Sequence, residues 1–215
     1  MSKSRIIETV CPKCGKTQEF EVHDSINVTL DPDLLNKLLD NSIFTFKCHD
    51  CGFEEVSLYP VLYHDMKKKL MIQLCLLDQV DHYKEMFKNS TEFMAKEFSI
   101  SDDYKYRIVS NLNDLLEKIF IFSENLDDRV IELMKLDVLD ELEDDNVEKI
   151  LFSPGKECVF VLIGENEVLG TTPVLEESYE VNTGIFNMYR KDECDSEYII
   201  DDEWAVKLFT NESNN

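Results

Sequence analysis

Short stretches of alternating apolar and polar residues dominate the first third of the chain. Phe20 and Val22 alternate with polar neighbours from Gln18 to His23, and a second extended piece runs from Ile26 to Leu30. A short helix is predicted next. Asp31 is placed to cap it, Pro32 suits its first turn, Leu34, Leu35, Leu38 and Leu39 give it one apolar face, and Asp40-Asn41-Ser42 ends it. Ile43 to Lys47 and Phe53 to Leu58 read as two strands flanking a turn, and Val61 to Asp65 and Leu70 to Cys75 as two more. Lys67-Lys68-Lys69 lies between the last two and fits an exposed hairpin tip.

The period then lengthens. Asp78 to about Ser99 is an irregular helical pattern, and Tyr104 to Val109 is a short strand candidate. Two clearer helices follow, with Leu112, Leu115, Leu116, Ile119 and Phe122 at helical spacing on the first. Val130, Ile131, Met134, Val138 and Leu142 run along the second. Asn111 and Asn125 are the expected caps, each with an aspartate three residues on, and the short break at Ser123-Glu124 predicts an antiparallel pair. Phe120 and Leu133 fall off the main stripes and are expected to mark surplus surface for a partner. On the polar faces, Asp128 and Glu132 are like charges one turn apart, which requires a cation such as Arg129 or Lys135 nearby; an ion pair through Arg129 is expected.

Glu141 to Asn146 is a charge run and the best linker candidate. Beyond it, Val147 to Phe152, Cys158 to Ile163 and Val168 to Val174 read as strands joined by Ser-Pro-Gly and Gly-Glu-Asn turns. Tyr179 to Arg190 is ambiguous, because Gly184 weakens an otherwise helical face. The fold class predicted is α+β: N-terminal β-hairpins with an inserted short helix, a central helix pair, and a mostly β C-terminal portion. The expected division is 1–76 for the ribbon-like domain, 77–145 for the helical segment and 146–215 for the C-terminal portion.

The strongest chemical signal lies in the first of these segments. Cys11-Pro12-Lys13-Cys14-Gly15 and Cys48-His49-Asp50-Cys51-Gly52 each offer two thiolates on one tight turn. A glycine after the second cysteine allows the left-handed conformation that turns backbone N–H groups toward the sulfurs. Two such knuckles make a four-thiolate set, Cys11, Cys14, Cys48 and Cys51, suited to one structural Zn2+ per chain. A redox motif needs one such pair at a helix start, whereas here two pairs each lean on strands. Lys13, Lys16 and Lys47 are expected to offset the negative charge of a zinc-tetrathiolate, and His49 is expected to point outward instead of competing as a ligand.

Charge narrows the classes of partner. The formal net charge is −23, and it is unevenly spread: residues 1–75 carry 9 Lys and Arg against 11 Asp and Glu, while the remainder carries 13 against 34. Such a surface repels phosphate backbones and anionic lipid, so neither nucleic acid nor membrane is expected as a partner. With no long apolar run at its start and seven cysteines that do not form a dense, even set, the chain is expected to be cytoplasmic. Cys75 and Cys158 read as small core residues, and Cys194, among Asp192, Glu193 and Asp195, as a poor nucleophile. The acidic run Asp192 to Glu203 lacks the alternating pattern of a calcium loop. Phosphate-loop, nucleophile-elbow and His-Glu-x-x-His motifs are absent from the sequence.

No catalytic residue is assigned. Apart from the knuckle, the His-Asp pairs are His23-Asp24 and His64-Asp65, and neighbours on a strand point to opposite faces. The function expected is therefore a non-enzymatic protein-interaction or adaptor module, working through a protein partner or self-association, with no small-molecule substrate identifiable. The alternative is a hydrolase using His64 with carboxylates; a nucleic-acid-binding ribbon is disfavoured by charge.

The chain resembles the CpXC-domain proteins. The resemblance rests on Cys11-Pro12-Lys13-Cys14-Gly15, on Ser25 to Val28 with Asp31 to Leu34, and on Cys48 and Cys51 followed by Leu62 to Met66. It extends through Asn113 to Ile119 and Leu126 to Glu132, covering about residues 9–135. It implies a prokaryotic cytosolic protein with a zinc-ribbon-like N-terminus, and it implies no reaction. His49 stands where the second Cys-Pro-x-Cys of the family has proline.

Overall fold

The structure is a computed structural model that describes residues 1–98 (side chains through 93), 104–142, 146–165, 167–189 and 197–210. It is an α+β chain, with ten strands and six helices among the described residues. Two compact units divide it, Met1–Leu112 and Asn113–Asn215.

The first unit is built on a five-stranded sheet in the order β1-β2-β5-β6-β7. Strand β1 (Lys3–Val10) pairs antiparallel with β2 (Thr17–Asn27), and β2 runs parallel to β5 (Val61–Asp65). Strand β6 (Leu70–Leu74) is antiparallel to β5 and parallel to β7 (Lys105–Val109). Strand pairing therefore crosses residue 76. Parallel neighbours need long crossovers, and helix α2 (Val80–Phe98) lies between β6 and β7 in the chain. It packs its Phe87 ring 5.0 Å from Tyr106 of β7.

Helix α1 (Asp33–Leu39) falls in the segment between the two knuckles, together with a single 3-10 turn, Ser42–Phe44. Only Leu38 of its four leucines is fully buried. Asp31 does not cap α1 with its side chain. Pro32 already holds a helical conformation at the N-cap, and Asp31 instead contributes its carbonyl to Leu34 N–H and its carboxylate to Ser2 N–H. Asn41 stops the segment in the left-handed region (φ 62°), where asparagine is better tolerated than most residues. Strands β3 (Thr45–Lys47) and β4 (Glu54–Val56) then form the hairpin across the second knuckle. The three lysines sit exposed in the β5–β6 turn, with Asp65 accepting from the N–H groups of Lys67 and Lys68.

In the second unit, helices α3 (Leu112–Ser123) and α4 (Asp128–Glu141) share one apolar core with the meander β8 (Lys149–Ser153), β9 (Val159–Ile163) and β10 (Val168–Pro173). Two further helices complete it, α5 (Glu176–Tyr189) and α6 (Asp202–Thr210). The ambiguous stretch near Gly184 is thus helical: the glycine faces open space, while Phe186 and Asn182 bury the opposite side. Asp201 begins α6 by accepting from Trp204 N–H, and Trp204 is buried against the same core. Of the candidate linker at 141–146, Glu141 ends α4 and residues 143–145 lie outside the described residues.

Asn125 is not the cap of α4. It takes the left-handed conformation (φ 62°) and bonds back to Phe122 O at the end of α3. Asp127, extended, supplies the carboxylate that accepts from Arg129 N–H. Leu133 is not surplus surface either: it is 1% exposed and Phe120 packs on the same core. Helix α4 has no free polar face at this position because α5 and α6 cover it along with α3 and the sheet.

Arg129 makes an intramolecular ion pair. Its Nε and Nη2 reach Asp127 at 3.0 and 2.7 Å, and its guanidinium lies 4.6 Å from the Phe186 ring centre. We expect Arg129→Ala to lower the unfolding free energy of this unit by about 1–2 kcal/mol, and Arg129→Lys to recover only part of it by losing the fork. Urea unfolding followed by Trp204 fluorescence checks this, since Trp204 is the single tryptophan and lies 6.3 Å from Phe186. An unchanged midpoint would show that the pair contributes nothing.

Candidate metal centre

Cys11 follows directly on β1, and the turn from Cys11 to Lys16 leads into β2. Gly15 N–H donates to Cys11 O at 2.9 Å with φ 71°, a conformation that strains any residue with a Cβ. The second turn repeats this geometry: Gly52 N–H donates to Cys48 O at 3.0 Å with φ 67°. The β3–β4 hairpin carries that turn, closed by Cys48 N–H to Phe53 O at 2.8 Å. Gln18 of β2 joins the two knuckles, its amide donating to Lys47 O and accepting from His49 N–H. That clamp was not anticipated from the sequence, where Gln18 is one polar residue of an alternating strand.

The four cysteines converge so that their sulfurs all lie within 4.8 Å of one another. Cys11 Sγ is 3.7 Å from Cys51 Sγ, and Cys14 Sγ is 3.6 Å from Cys48 Sγ. A disulfide needs sulfurs about 2.05 Å apart. In a tetrahedron with metal–sulfur bonds of about 2.3 Å, neighbouring sulfurs stand about 3.8 Å apart. The observed spacing fits the second arrangement, so these four residues can hold one metal ion. Cys11 and Cys48 are buried with Phe46 in a small cluster that Phe20 and Phe53 cover, and Phe20 meets Phe46 edge-to-face at 5.9 Å.

Backbone amides face the sulfurs. The N–H of Lys16 is directed at Cys14, those of Cys51 and Asp50 at Cys48, and that of Phe53 at Cys51. At Cys48 the Cys51 amide, against the opposing effect of burial, helps bring the thiol down to about 7. At Cys14 the Lys16 amide is outweighed by burial and by the other three sulfurs, and the thiol is pushed up to about 12. Lys47 turns to Glu54 across the hairpin and pairs with it. Lys47 is thus drawn to a carboxylate, and it is backbone amide dipoles that bring positive charge directly onto the sulfurs. His49 is exposed and stands outside the cysteine cluster.

The histidines are placed differently. His64, half-buried on β5, has Nδ1 3.3 Å from the Asn27 amide nitrogen and Nε2 3.2 Å from the Tyr104 hydroxyl. Asp65 points elsewhere, its carboxylate accepting from Thr29 Oγ1 and from the amides of the following turn. His23 is buried, with Nδ1 lacking a partner among the described residues, while Asp24 pairs with Arg5 and Lys3. Burial lowers the pKa of both imidazoles. At His64 the N-terminal amino group adds to this and Asp65 opposes it; at His23 Glu21 opposes and Lys37 adds. Both histidines are expected to titrate below about 6.5. A lowered pKa means that the folded state resists protonation, so their contribution to stability is complete above that pH and declines as pH falls. Imidazole proton resonances followed by NMR check this; protonation at or above 6.5 would contradict it.

Cys75 is buried and its thiol is raised by burial and by Asp78, while Cys158 is half-buried and likewise raised, first by burial. Both are core-type thiols. Cys194 and the acidic residues from Asp192 to Asp195 lie outside the described residues.

A second polar constellation was only partly read from the sequence, which pointed to Asp128, Glu132 and Lys135 but not to Glu117 and Lys118. Glu117 and Lys118 of α3 meet Asp128, Glu132 and Lys135 of α4, and all five are buried. Lys118 Nζ lies 3.2 Å from Asp128 and 2.9 Å from Glu132; Lys135 Nζ lies 2.8 Å from Glu117 and 3.1 Å from Glu132. Glu117 also accepts from Phe152 N–H of β8. Burial alone would discharge Lys118, but Glu132, Asp128 and Glu117 hold its proton, leaving it above the ordinary lysine range. Burial drives the Glu117 carboxyl upward, with Lys135 opposing; Glu132 is lowered because Lys118 and Lys135 outweigh its burial. The sequence signal was the Glu-Lys step inside the apolar run of α3, which placed two charges where the helix has no solvent face.

Among the described residues, no helix is long and apolar enough to cross a membrane. No curated protein and no solved structure matches the chain. Comparison with known families matches residues 9–135 to the family described as CpXC protein. That span runs from just before the first knuckle to Lys135, the last member of the buried charge network, and covers more than half of the sequence. The chain belongs to the CpXC protein family.

Proposed function

We propose that this is a non-enzymatic protein-interaction or adaptor module of the cytoplasm whose N-terminal ribbon is locked by one structural zinc ion. The observation that carries the reading is the four-sulfur set, with separations of 3.6 and 3.7 Å across the two knuckles. Four thiolates close a tetrahedral centre and leave no position for a catalytic water. Such a centre holds a shape, and the shape here carries exposed apolar residues. Ile6 and Val10 on one face of β1 and Val56 on β4 remain largely uncovered.

The hydrolase alternative gains nothing from the geometry. A general base of this kind is oriented by a carboxylate, and the polar neighbours of the His64 ring nitrogens are instead the Asn27 amide and the Tyr104 hydroxyl. Charge argues against nucleic acid: we expect no retardation of duplex DNA or RNA even at low ionic strength. Submicromolar binding that weakens steeply with salt would contradict this and would implicate Lys67, Lys68 and Lys69.

The test of the adaptor reading is co-purification from the cell in which the protein is native, at endogenous level, with stoichiometric protein identified by mass spectrometry. Recovery of the chain without any partner and without self-association in sedimentation would overturn it.

A further inference from the structure

The second unit contains a groove of about 350 Å3 between α4 and α5, closed below by β9 and β10. Its lining is mixed: Met134 and Val138 from α4, Phe160 from β9 and Val181 from α5 are apolar, with the hydroxyls of Thr172 and Ser178 among them. Asp137 and Glu141 on one side and Glu177 on the other form its rim. Among the described residues, no Lys or Arg lines it and none of the three carboxylates is in a salt bridge. Asp137 accepts one hydrogen bond, from Asn182 at 2.7 Å, which ties α5 to α4 and keeps the groove's width. Leu175 and Val181 are each 57% exposed at its edge.

We propose that this groove docks a basic amphipathic segment of a partner protein, with an apolar side chain in the groove and Lys or Arg side chains on the carboxylates. The proposal rests on the reading of the protein as an interaction module and names the chemistry of its partner. An amphipathic helix laid in a groove presents anchors at i, i+3, i+4 and i+7, and the groove offers its own stripe at 134, 137, 138 and 141 with that spacing. Charge selects the occupant. Residues 113–215 carry 8 Lys and Arg against 27 Asp and Glu, so a second copy of this face would meet like charge. Cations set one helical turn from an apolar anchor would instead find opposite charge on both walls.

The probe is a fluorescent peptide of about 14 residues, four helical turns, built from Leu and Lys at helical spacing, with a Leu and Glu peptide as its counterpart. Anisotropy titration of the full-length, metal-loaded protein should show binding of the basic peptide and not of the acidic one. Glu141→Lys with Glu177→Lys should weaken that binding at least about tenfold, and Val181→Arg should do the same from a position where an exposed side chain can change without unfolding the unit. Glu165→Lys with Glu167→Lys, the same charge change on the exposed β9–β10 turn, should leave it within about twofold. Equal weakening by both double variants would mean that the peptide senses net charge alone, and the proposal falls. Absence of binding to wild type also overturns it. In the co-purification, a partner retained equally by wild type and by the Glu141→Lys, Glu177→Lys variant would sink the groove while leaving the adaptor reading intact. Groove-dependent peptide binding without any native partner would sink the adaptor reading alone.

Discussion

Cys14→Ser is expected to abolish zinc binding and to unfold the two knuckles and the β3–β4 hairpin while the second unit stays folded. The freshly purified wild type should contain one zinc per chain. The two knuckles have little else to hold them together: their apolar cluster is Cys11, Phe46 and Cys48 with three partly buried neighbours, and Val22, Ile26, Leu38 and Phe44 are buried outside it. Strand β4 is exposed along its whole length, and β3 has three residues. Fully burying a Phe contributes about 1.5–3 kcal/mol, too little to offset ordering the roughly eighteen residues of the knuckles and the β3–β4 hairpin at about 1–2 kcal/mol each. Apparent zinc-binding energies of about 10–16 kcal/mol in finger peptides show the scale that a metal adds. Limited proteolysis should therefore cut Cys14→Ser in the knuckles and the β3–β4 hairpin, and a chelator should do the same to wild type. Trp204 fluorescence, which reports the other unit, should not move. Metal analysis finding no zinc, with the four thiols paired as disulfides, would end the zinc reading; iron in its place would keep the site and change its metal.

The ribbon was legible because its signals are local. Two Cys-x-x-Cys-Gly turns, alternation around Phe20 and Val22, and the Asn41 stop each act over a few residues, and each appears where the pattern placed it. Strand β1 was not read, although Ile6, Ile7, Thr9 and Val10 are β-branched and run up to Cys11. Its strand character comes from pairing with β2, and six of its eight residues stay exposed with none buried, so no apolar alternation marks it. The parallel pairings of β2 with β5 and β6 with β7 are equally silent, because they join segments far apart in the chain and leave no turn signature between them. The helix pair was legible as two helices, but Leu133 was misread as surplus surface. Which face of a helix is buried depends on what covers it, and α4 is covered by elements that follow it in sequence.

The buried charges of that pair carry the other large effect. Lys118→Met is expected to destabilise the second unit by about 3–5 kcal/mol, a large share of the 5–15 kcal/mol that holds a typical domain. Lys118 is 3% exposed, and it is the cation between Asp128 and Glu132, themselves 0 and 3% exposed. Methionine matches its length and fills the space, so the loss is of charge and not of packing. Asp128 is left without the Lys118 ammonium, and Glu132 keeps only Lys135 of its two lysine partners. A carboxylate stranded this way binds its proton more tightly in the folded state than in the unfolded state, so stability must rise as pH falls. The deficit of Lys118→Met measured by Trp204 fluorescence in urea should accordingly shrink between about pH 7 and about pH 5, as the stranded carboxyls protonate. In wild type the same linkage runs the other way for Glu132, whose lowered pKa gives stability that is present above the ordinary glutamate range and is lost on strong acidification. Adding Glu132→Gln to Lys118→Met removes one stranded charge and should recover part of the loss at neutral pH. A deficit that does not change with pH and is not relieved by the second substitution would mean that Lys118 acts through its packing, and the network would not be the electrostatic core of this unit.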